Sequence, residues 1–288
     1  VFIKYILIMK CSIYYDYGAL NSRPVFDAVA QGLRHHGHTV VAHDDSADIA
    51  IIWSQLWAGR MRANQTVWHH YKKINRPVLV VEVGALQRDQ TWRLMLDGKN
   101  CLTSTNNTSK RFNQLGLQLH PWRQVGDHIV VACQRPESQQ WTGMPAVAEW
   151  VDSLVAGIRQ VSSRPIHIRP HPRHRISTVP NGCYLDQPRP QANTYDDYDL
   201  ARSLNNAWCV VNYNSNPAVS AVLSGYPVFV HSTSIAAAVG NLDLAHIERP
   251  LTPDREQWAW DLAHTEWTVA EIATGAGLEQ LSDLQKIQ

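Results

Sequence analysis

Residues 207–231 read AWCVVNYNSNPAVSAVLSGYPVFVH, and the order of elements in this stretch decides the fold. The apolar run Trp208–Asn212 is a strand. A polar loop, Asn212-Tyr213-Asn214-Ser215-Asn216-Pro217, follows it. Pro217–Leu223 reads as a helix, because proline is tolerated in a first turn and Gly225 can close the end. Pro227–Val230 is the next strand. The same alternation extends upstream. Ile129–Cys133 is a strand, and Pro145–Gln160 is a helix with Val147, Val151, Leu154, Val155 and Ile158 on one face. Pro165–Arg169 is a strand and Asp199–Asn205 a short helix.

The N-terminal half repeats the scheme. Lys10–Tyr15 is a strand. Pro24–His36 is a helix with Phe26, Val29, Ala30 and Leu33 at helical spacing, and Gly37 stops it. Thr39–Ala42 and Ile49–Trp53 are strands, Ala63–Ile74 a helix, and Pro77–Val83 a strand. The unbroken apolar run of the last is what a parallel sheet covered on both faces produces. The pattern weakens between about Gly98 and Gly126, where Asn106–Ser109 is a polar loop and His120-Pro121-Trp122 a linker. Two successive series predict an α/β fold of two Rossmann-like lobes facing a cleft: residues 1–122 and residues 123–255.

The chain has 288 residues and 44% hydrophobic content, enough for a large core. Lys plus Arg number 26 against 25 Asp plus Glu, a net charge of +1. That balance excludes a strongly basic nucleic-acid binder, so any such contact needs a local patch. Cys11, Cys101, Cys133, Cys183 and Cys209 are odd in number and include no CxxC pair. A disulfide framework or thiolate zinc site is therefore not expected, and a reducing cytoplasm fits. The apolar Val1–Met9 run is too short to span a membrane and lacks a cleavage site. Met9-Lys10 reads as a natural start. The glycosylation-like matches at Asn64, Asn106 and Asn107 are read as chance.

Three polar loops follow strands of the second series, so they are expected on one rim. The first contains Gln134 and Ser138. The second, Arg169-Pro170-His171-Pro172-Arg173, carries two guanidinium groups suited to phosphate. The third holds Asn214, Ser215 and Asn216 before the Pro217 helix, whose free N–H groups suit an anion; a plain N-cap explains the same residues. His167, His171 and His174 do not make a zinc site, because Pro170 and Pro172 forbid the helix that would align them. Asp196-Asp197 with Asp199 is the nearest match to a metal-binding acidic motif, and binding of ribose or sugar hydroxyls is the preferred role. No metal is expected.

In sequence, RPHPR (169–173), the acidic stretch Thr194–Leu200 and NYNSNPAVSAVLSGYPVFV (212–230) resemble the C-terminal half of GT-B glycosyltransferases that build surface polymers. Those are the capsule Kdo transferases and the CDP-glycerol polymer transferases. The resemblance spans about residues 129–231. It implies that His171-Pro172 and Asn214–Asn216 touch a nucleotide-sugar donor (UDP-, GDP- or CMP-linked). It also implies that the last helices, residues 256–288, cross back to the first lobe, with Trp258, Trp260 and Trp267 at the junction. IYYDYGALNSRPVFDA (13–28), PVLVVEVGAL (77–86), SQQWTGMP (138–145) and TEWTVAEI (265–272) are similar to GT-B-like proteins of marine tailed phages. Phage relatives imply a modified DNA base as acceptor.

An inverting transfer needs a base for the acceptor hydroxyl. Asp16, in a loop after the first strand, and Glu82, near the end of a buried strand, are the candidates. Tyr17, Trp53 and Trp57 are the expected acceptor contacts. The predicted function is therefore sugar transfer from a nucleotide-sugar to the hydroxymethyl group of a modified pyrimidine (5-hydroxymethylcytosine or 5-hydroxymethyluracil) in double-stranded phage DNA. Arg60, Arg62 and Lys73 are among the cations available to a duplex. Surface polysaccharide or lipid-linked glycan synthesis is the alternative, and a non-catalytic nucleotide- or sugar-binding protein the second.

Overall fold

The computed structural model describes residues 8–99, 106–192, 194, 197–279 and 281. Cys101, Asp196 and most of the Val1–Met9 run lie outside the described residues. The backbone divides into two compact units, Val1–Thr103 with His264–Gln288, and Ser104–Ala263. Residues 104–122 thus group with the second unit, and the tail is shared, residues 256–263 with the second and 264–288 with the first.

The first unit runs β1 (Lys10–Ile13), α1 (Arg23–His35), β2 (Thr39–Ala42), β3 (Ile49–Trp53), α2 (Ala63–Lys73), β4 (Val78–Val83) and β5 (Trp92–Leu96). The second contains α3 (Ser109–Gln114), β6 (His128–Ala132), α4 (Val147–Arg159), β7 (Ile166–Arg169), β8 (Cys183–Leu185), α5 (Leu200–Leu204), β9 (Ala207–Asn212), α6 (Pro217–Leu223), β10 (Val228–Phe229) and α7 (Glu256–Ala263). The chain then re-enters the first unit with β11 (Glu266–Trp267) and α8 (Val269–Ala273).

In the first unit the sheet order is β11-β5-β4-β3-β1-β2. The four strands β4, β3, β1 and β2 are parallel, but β5 and β11 are antiparallel additions at one edge. The wholly parallel expectation is corrected at that edge. β5 went unread because Trp92–Leu96 is a short apolar run with no clear period. Every residue of β3 is buried, as its continuous apolar sequence requires. Helix α1 buries Phe26, Val29, Ala30 and Leu33 against this sheet, each contributing up to about 1.5–3 kcal/mol for the larger side chains.

Helix α8 packs on α1 at Gly32, where an added Cβ would lie 2.2 Å from the Ile272 carbonyl oxygen. Gly32→Ala is therefore expected to cost about 1–3 kcal/mol by overpacking, read as a lower urea midpoint. An unchanged midpoint would mean that the two helices do not meet there.

The tail is anchored by Glu266, which is fully buried. Its carboxylate accepts from the Ala85 N–H (2.6 Å), the Leu86 N–H (3.1 Å) and the Thr91 hydroxyl (2.7 Å). Trp267 packs on the first core, whereas the Trp258 indole donates to Ile235 O in the second unit. The tail tryptophans are thus divided between the units.

The second sheet is parallel throughout, in the order β10-β9-β6-β7-β8. β6 is buried along its length, and α4 covers it with Val147, Val151, Val155 and Ile158. Cys11, Cys133 and Cys209 are buried, unpaired thiols; burial pushes Cys133 up to about 12, far from a reactive thiolate. Among the described residues no helix is long and apolar enough to cross a membrane.

Candidate functional site

In the second unit, Ala132 of β6 pairs with Arg169 of β7 on one side and Asn212 of β9 on the other. Adjacent strands lie about 4.8 Å apart, so the three predicted loops leave one carboxyl edge within about 10 Å of backbone. Ligands of open α/β sheets bind at such edges.

The third loop is organised by Asn212, which is buried. Its Nδ2 donates to Ala132 O (2.9 Å) and Ser215 Oγ (2.8 Å), and its Oδ1 accepts from the Ser215 N–H (2.8 Å). Ser215 Oγ is an acceptor in this clamp, which leaves its own proton for donation outward. The plain N-cap explanation is not the arrangement seen: Asn216 has helical backbone angles and makes no side-chain cap. Asn214 donates to Thr233 Oγ1 (3.2 Å), while its Oδ1 is buried with no partner among the described residues. The Tyr213 ring stacks on His231 with centroids 4.7 Å apart.

In the first loop, Gln134 is buried and its Oε1 has no partner among the described residues. Ser138 caps its own turn by accepting from the Gln140 N–H (3.3 Å), so its hydroxyl is already engaged. Trp141 meets Tyr213 edge-on at 5.2 Å and joins the first loop to the third.

The second loop corrects one expectation. Arg169 is buried, and its guanidinium donates to Ser203 Oγ (2.6 Å) and Asp199 Oδ1 (3.1 Å). Arg202 donates to Asp199 (2.6 Å) and to Asp186 (2.5 Å). Burial pushes the Asp199 carboxyl up, but the Arg189 N–H and the guanidiniums of Arg202 and Arg169 outweigh it, bringing it down to about 2. Arg169 is thus committed to an internal ion cluster rather than to phosphate. His171 folds onto its own turn, its Nδ1 accepting from the Arg173 N–H (3.1 Å), and Arg173 is exposed. His167 stacks on His128 at 4.1 Å. No metal-binding group of His, Cys, Asp and Glu occurs among the described residues.

In the first unit, Asp16 sits in a tight 3-10 turn after β1, with its side chain 83% exposed. Its Oδ2 lies 3.2 Å from His43 Nε2, and sequence reasoning missed His43. Tyr17 stacks on Tyr14 (5.9 Å) and meets His43 edge-on (5.3 Å). Buried Asn64 donates to Trp53 O (2.7 Å) and Tyr17 O (3.0 Å), fixing the turn. Glu82 is engaged at both oxygens, accepting from Ser54 Oγ (2.6 Å) and from the Val83 N–H (3.0 Å). Trp53 as an acceptor contact is corrected: it is 2% exposed and packs edge-on against Phe26 at 5.7 Å. Trp57 is half-buried and tilted against Trp68 at 6.4 Å.

No family model matches the chain, and no curated protein matches it. Among solved structures it is similar to the beta Kdo 2,7 transferase of Thermosulfurimonas dismutans KpsC. The TM-score is 0.53 at 13% identity, over 94% of this chain and 99% of that one. It is also similar to the beta Kdo 2,4 transferase of the same KpsC. There the TM-score is 0.52 at 10% identity, over 91% and 92%. Anabaena Alr3699/HepE, solved in complex with UDP-glucose, gives a TM-score of only 0.36 at 12% identity, over 96% and 100%. Two α/β units, with the C-terminal segment returning to the first, make this the GT-B glycosyltransferase fold.

Proposed function

We propose that the protein transfers a sugar from a nucleotide-sugar donor to a hydroxyl acceptor. The observation that carries the reading is the convergence of three polar loops on one parallel sheet edge, within a GT-B fold. On this reading the second unit binds the donor through Gln134, His171, Arg173, Asn214, Ser215 and Asn216, with Asn212 holding Ser215 in place. As the bond to the sugar breaks, the leaving phosphate gains charge, and Arg173, His171 and the Ser215 hydroxyl stabilise it. Arg169 and Asp199 hold the supporting loop. The buried unpaired thiols support a reducing cytoplasm.

The first unit takes the acceptor, and Asp16 and Tyr17 mark the place. Exposed Arg60 and Arg62 follow β3, and the Arg60 side chain reaches Gly18 O beside Tyr17. Cations there support an anionic acceptor, which both an acidic surface glycan and DNA with hydroxymethylated pyrimidines supply. The likeness to two Kdo transferases supports the glycan. The DNA reading rests on the similarity of four short segments to phage proteins.

The test is a panel of UDP-, GDP- and CMP-sugars offered with acidic glycan fragments or hydroxymethylated duplex, read as mass shifts in the acceptor. A shift confined to one acceptor selects it, and absence of both nucleotide binding and transfer would end the proposal. Ser215→Ala is expected to weaken nucleotide binding about tenfold, the loss of one hydrogen bond to a charged group. Calorimetry measures it; an unchanged affinity would remove Ser215 from the site.

A further inference from the structure

We propose that His231 is a further binding residue of the donor site, its Nε2–H bonding to a phosphate oxygen of the nucleotide. It rests on the transferase reading and stays within the second unit, adding a fourth loop, residues 230–235, to the three already placed on that rim. β10 is parallel to β9, with Phe229 opposite Val211, so the two chains leave the sheet at the same edge. The pairing runs on past both strands, because the His231 N–H donates to Tyr213 O (2.9 Å). The Tyr213 ring stacks on the His231 ring, and Asn214 Nδ2 donates to Thr233 Oγ1 (3.2 Å). The fourth loop is thus fastened to the third at three points, beside Ser215.

Hydrogen bonds fix the tautomer of the ring. The Thr233 N–H donates to His231 Nδ1 (3.3 Å). A backbone amide can only donate, so Nδ1 carries the lone pair and the proton of the neutral ring sits on Nε2. Thr233 Oγ1 lies 2.9 Å from the same Nδ1. It accepts from Asn214, which leaves its own proton to point at Nδ1. Nε2 has no hydrogen bond among the described residues, and His231 is exposed. The ring is also held in orientation. Its plane lies 24° from that of Tyr213, with centroids 4.7 Å apart, and Tyr213 in turn meets buried Trp141 edge-on.

A donor on the rim calls for an acceptor in the ligand. Two donors stand on neighbouring loops here, the Ser215 hydroxyl and His231 Nε2–H. Residues 200–242, which carry both loops, contain no Asp or Glu, so no carboxylate of that segment takes up these donors. In a nucleotide-sugar the bases and the sugar hydroxyls bring donors of their own, whereas the phosphate oxygens are acceptors alone. Hydrogen bonds to a charged oxygen are also about twice as strong as those between neutral groups. Both arguments assign the phosphate to His231.

The experiment titrates the full chain with UDP, GDP and CMP, and with the matching nucleosides, by calorimetry. His231→Phe keeps a ring against Tyr213 and removes the donor. His231→Gln gives up the ring and keeps an N–H donor at similar reach. For the nucleotide that the wild type binds, His231→Phe is expected to weaken affinity about tenfold, the loss of one hydrogen bond to a charged group. His231→Gln is expected to stay within about threefold, with nucleoside affinity unchanged in both variants. Nitrogen NMR of the ring is expected to show the Nε2–H tautomer in the free protein and a shift at Nε2 when nucleotide binds. An unchanged nucleotide affinity in His231→Phe overturns the proposal. So does an equal loss in the two variants, or an equal loss for nucleotide and nucleoside. A wild type that binds nucleotide keeps the transferase reading standing in each of those events. A wild type that binds none of the three and transfers no sugar sinks both.

Discussion

Glu266→Ala is expected to destabilise the first unit by about 3–5 kcal/mol, the cost of breaking a buried, hydrogen-bonded charge cluster from one side. The carboxylate is fully buried and receives three hydrogen bonds, from the N–H groups of Ala85 and Leu86 and from the Thr91 hydroxyl. Arg93, itself 8% exposed at the side chain, lies 4.0 Å away. Removing the carboxylate strands these donors in a site shut off from solvent. Each unsatisfied buried donor costs about 1–3 kcal/mol. Glu266→Gln is expected to cost less, since it keeps the volume and one acceptor oxygen but turns an NH₂ toward N–H donors. The measurement is urea unfolding, with hydrogen exchange at residues 84–96 as the local readout. A loss of under about 1 kcal/mol in Glu266→Ala would show that the segment after residue 264 is not fastened to the first sheet by this carboxylate. Nucleotide affinity, which belongs to the second unit on the reading above, should be unchanged under native conditions.

Legibility in the sequence followed periodicity. Pro77–Val83 and Ile49–Trp53 announced buried parallel strands because both faces of such strands are apolar, and β3 and β4 appear where those runs lie. The helix faces of α1 and α4 were equally legible. What escaped were elements defined by partners distant in sequence. β11 is a two-residue strand whose existence depends on Trp92 and Arg93 across the pair, and nothing local in Glu266-Trp267 signals it. The site divides in the same way. The polar loops after strands were readable as a rim, yet the organising residue of the third loop is Asn212, the last residue of the strand. An Asn at a strand end with Ser three residues on was the available signal, because asparagine side chains bond backbone N–H groups nearby. His43 had no comparable signal. Its contact with Asp16 arises only when β1 and β2 pair and bring the two turns together.

Arg169 shows why an arginine in a loop signature is ambiguous, and Arg169→Met separates the two meanings. Arginine beside His-Pro suits a phosphate, but here the fold draws the side chain inward, where it is 6% exposed and bonded to Asp199 and Ser203. The variant is expected to lose about 3 kcal/mol of stability at neutral pH, because Asp199 is left with Arg202 and one backbone N–H. The pH dependence follows from the Asp199 carboxyl, held down to about 2. A depressed carboxyl stabilises the fold fully above its unfolded value of about 3.9 and loses that contribution as pH falls through the folded value. Without Arg169 the carboxyl rises toward its ordinary value, so the variant has less to lose on acidification. The stability gap should therefore be widest above about pH 5 and narrow between about pH 4 and 2. Urea midpoints across that range measure it. A phosphate-binding arginine behaves in the opposite way: nucleotide affinity would fall tenfold or more, flagged by a charged hydrogen bond worth about 1.5–3 kcal/mol, while the midpoints stayed level. That pattern would return Arg169 to the donor site and leave the acidic cluster without its assigned role.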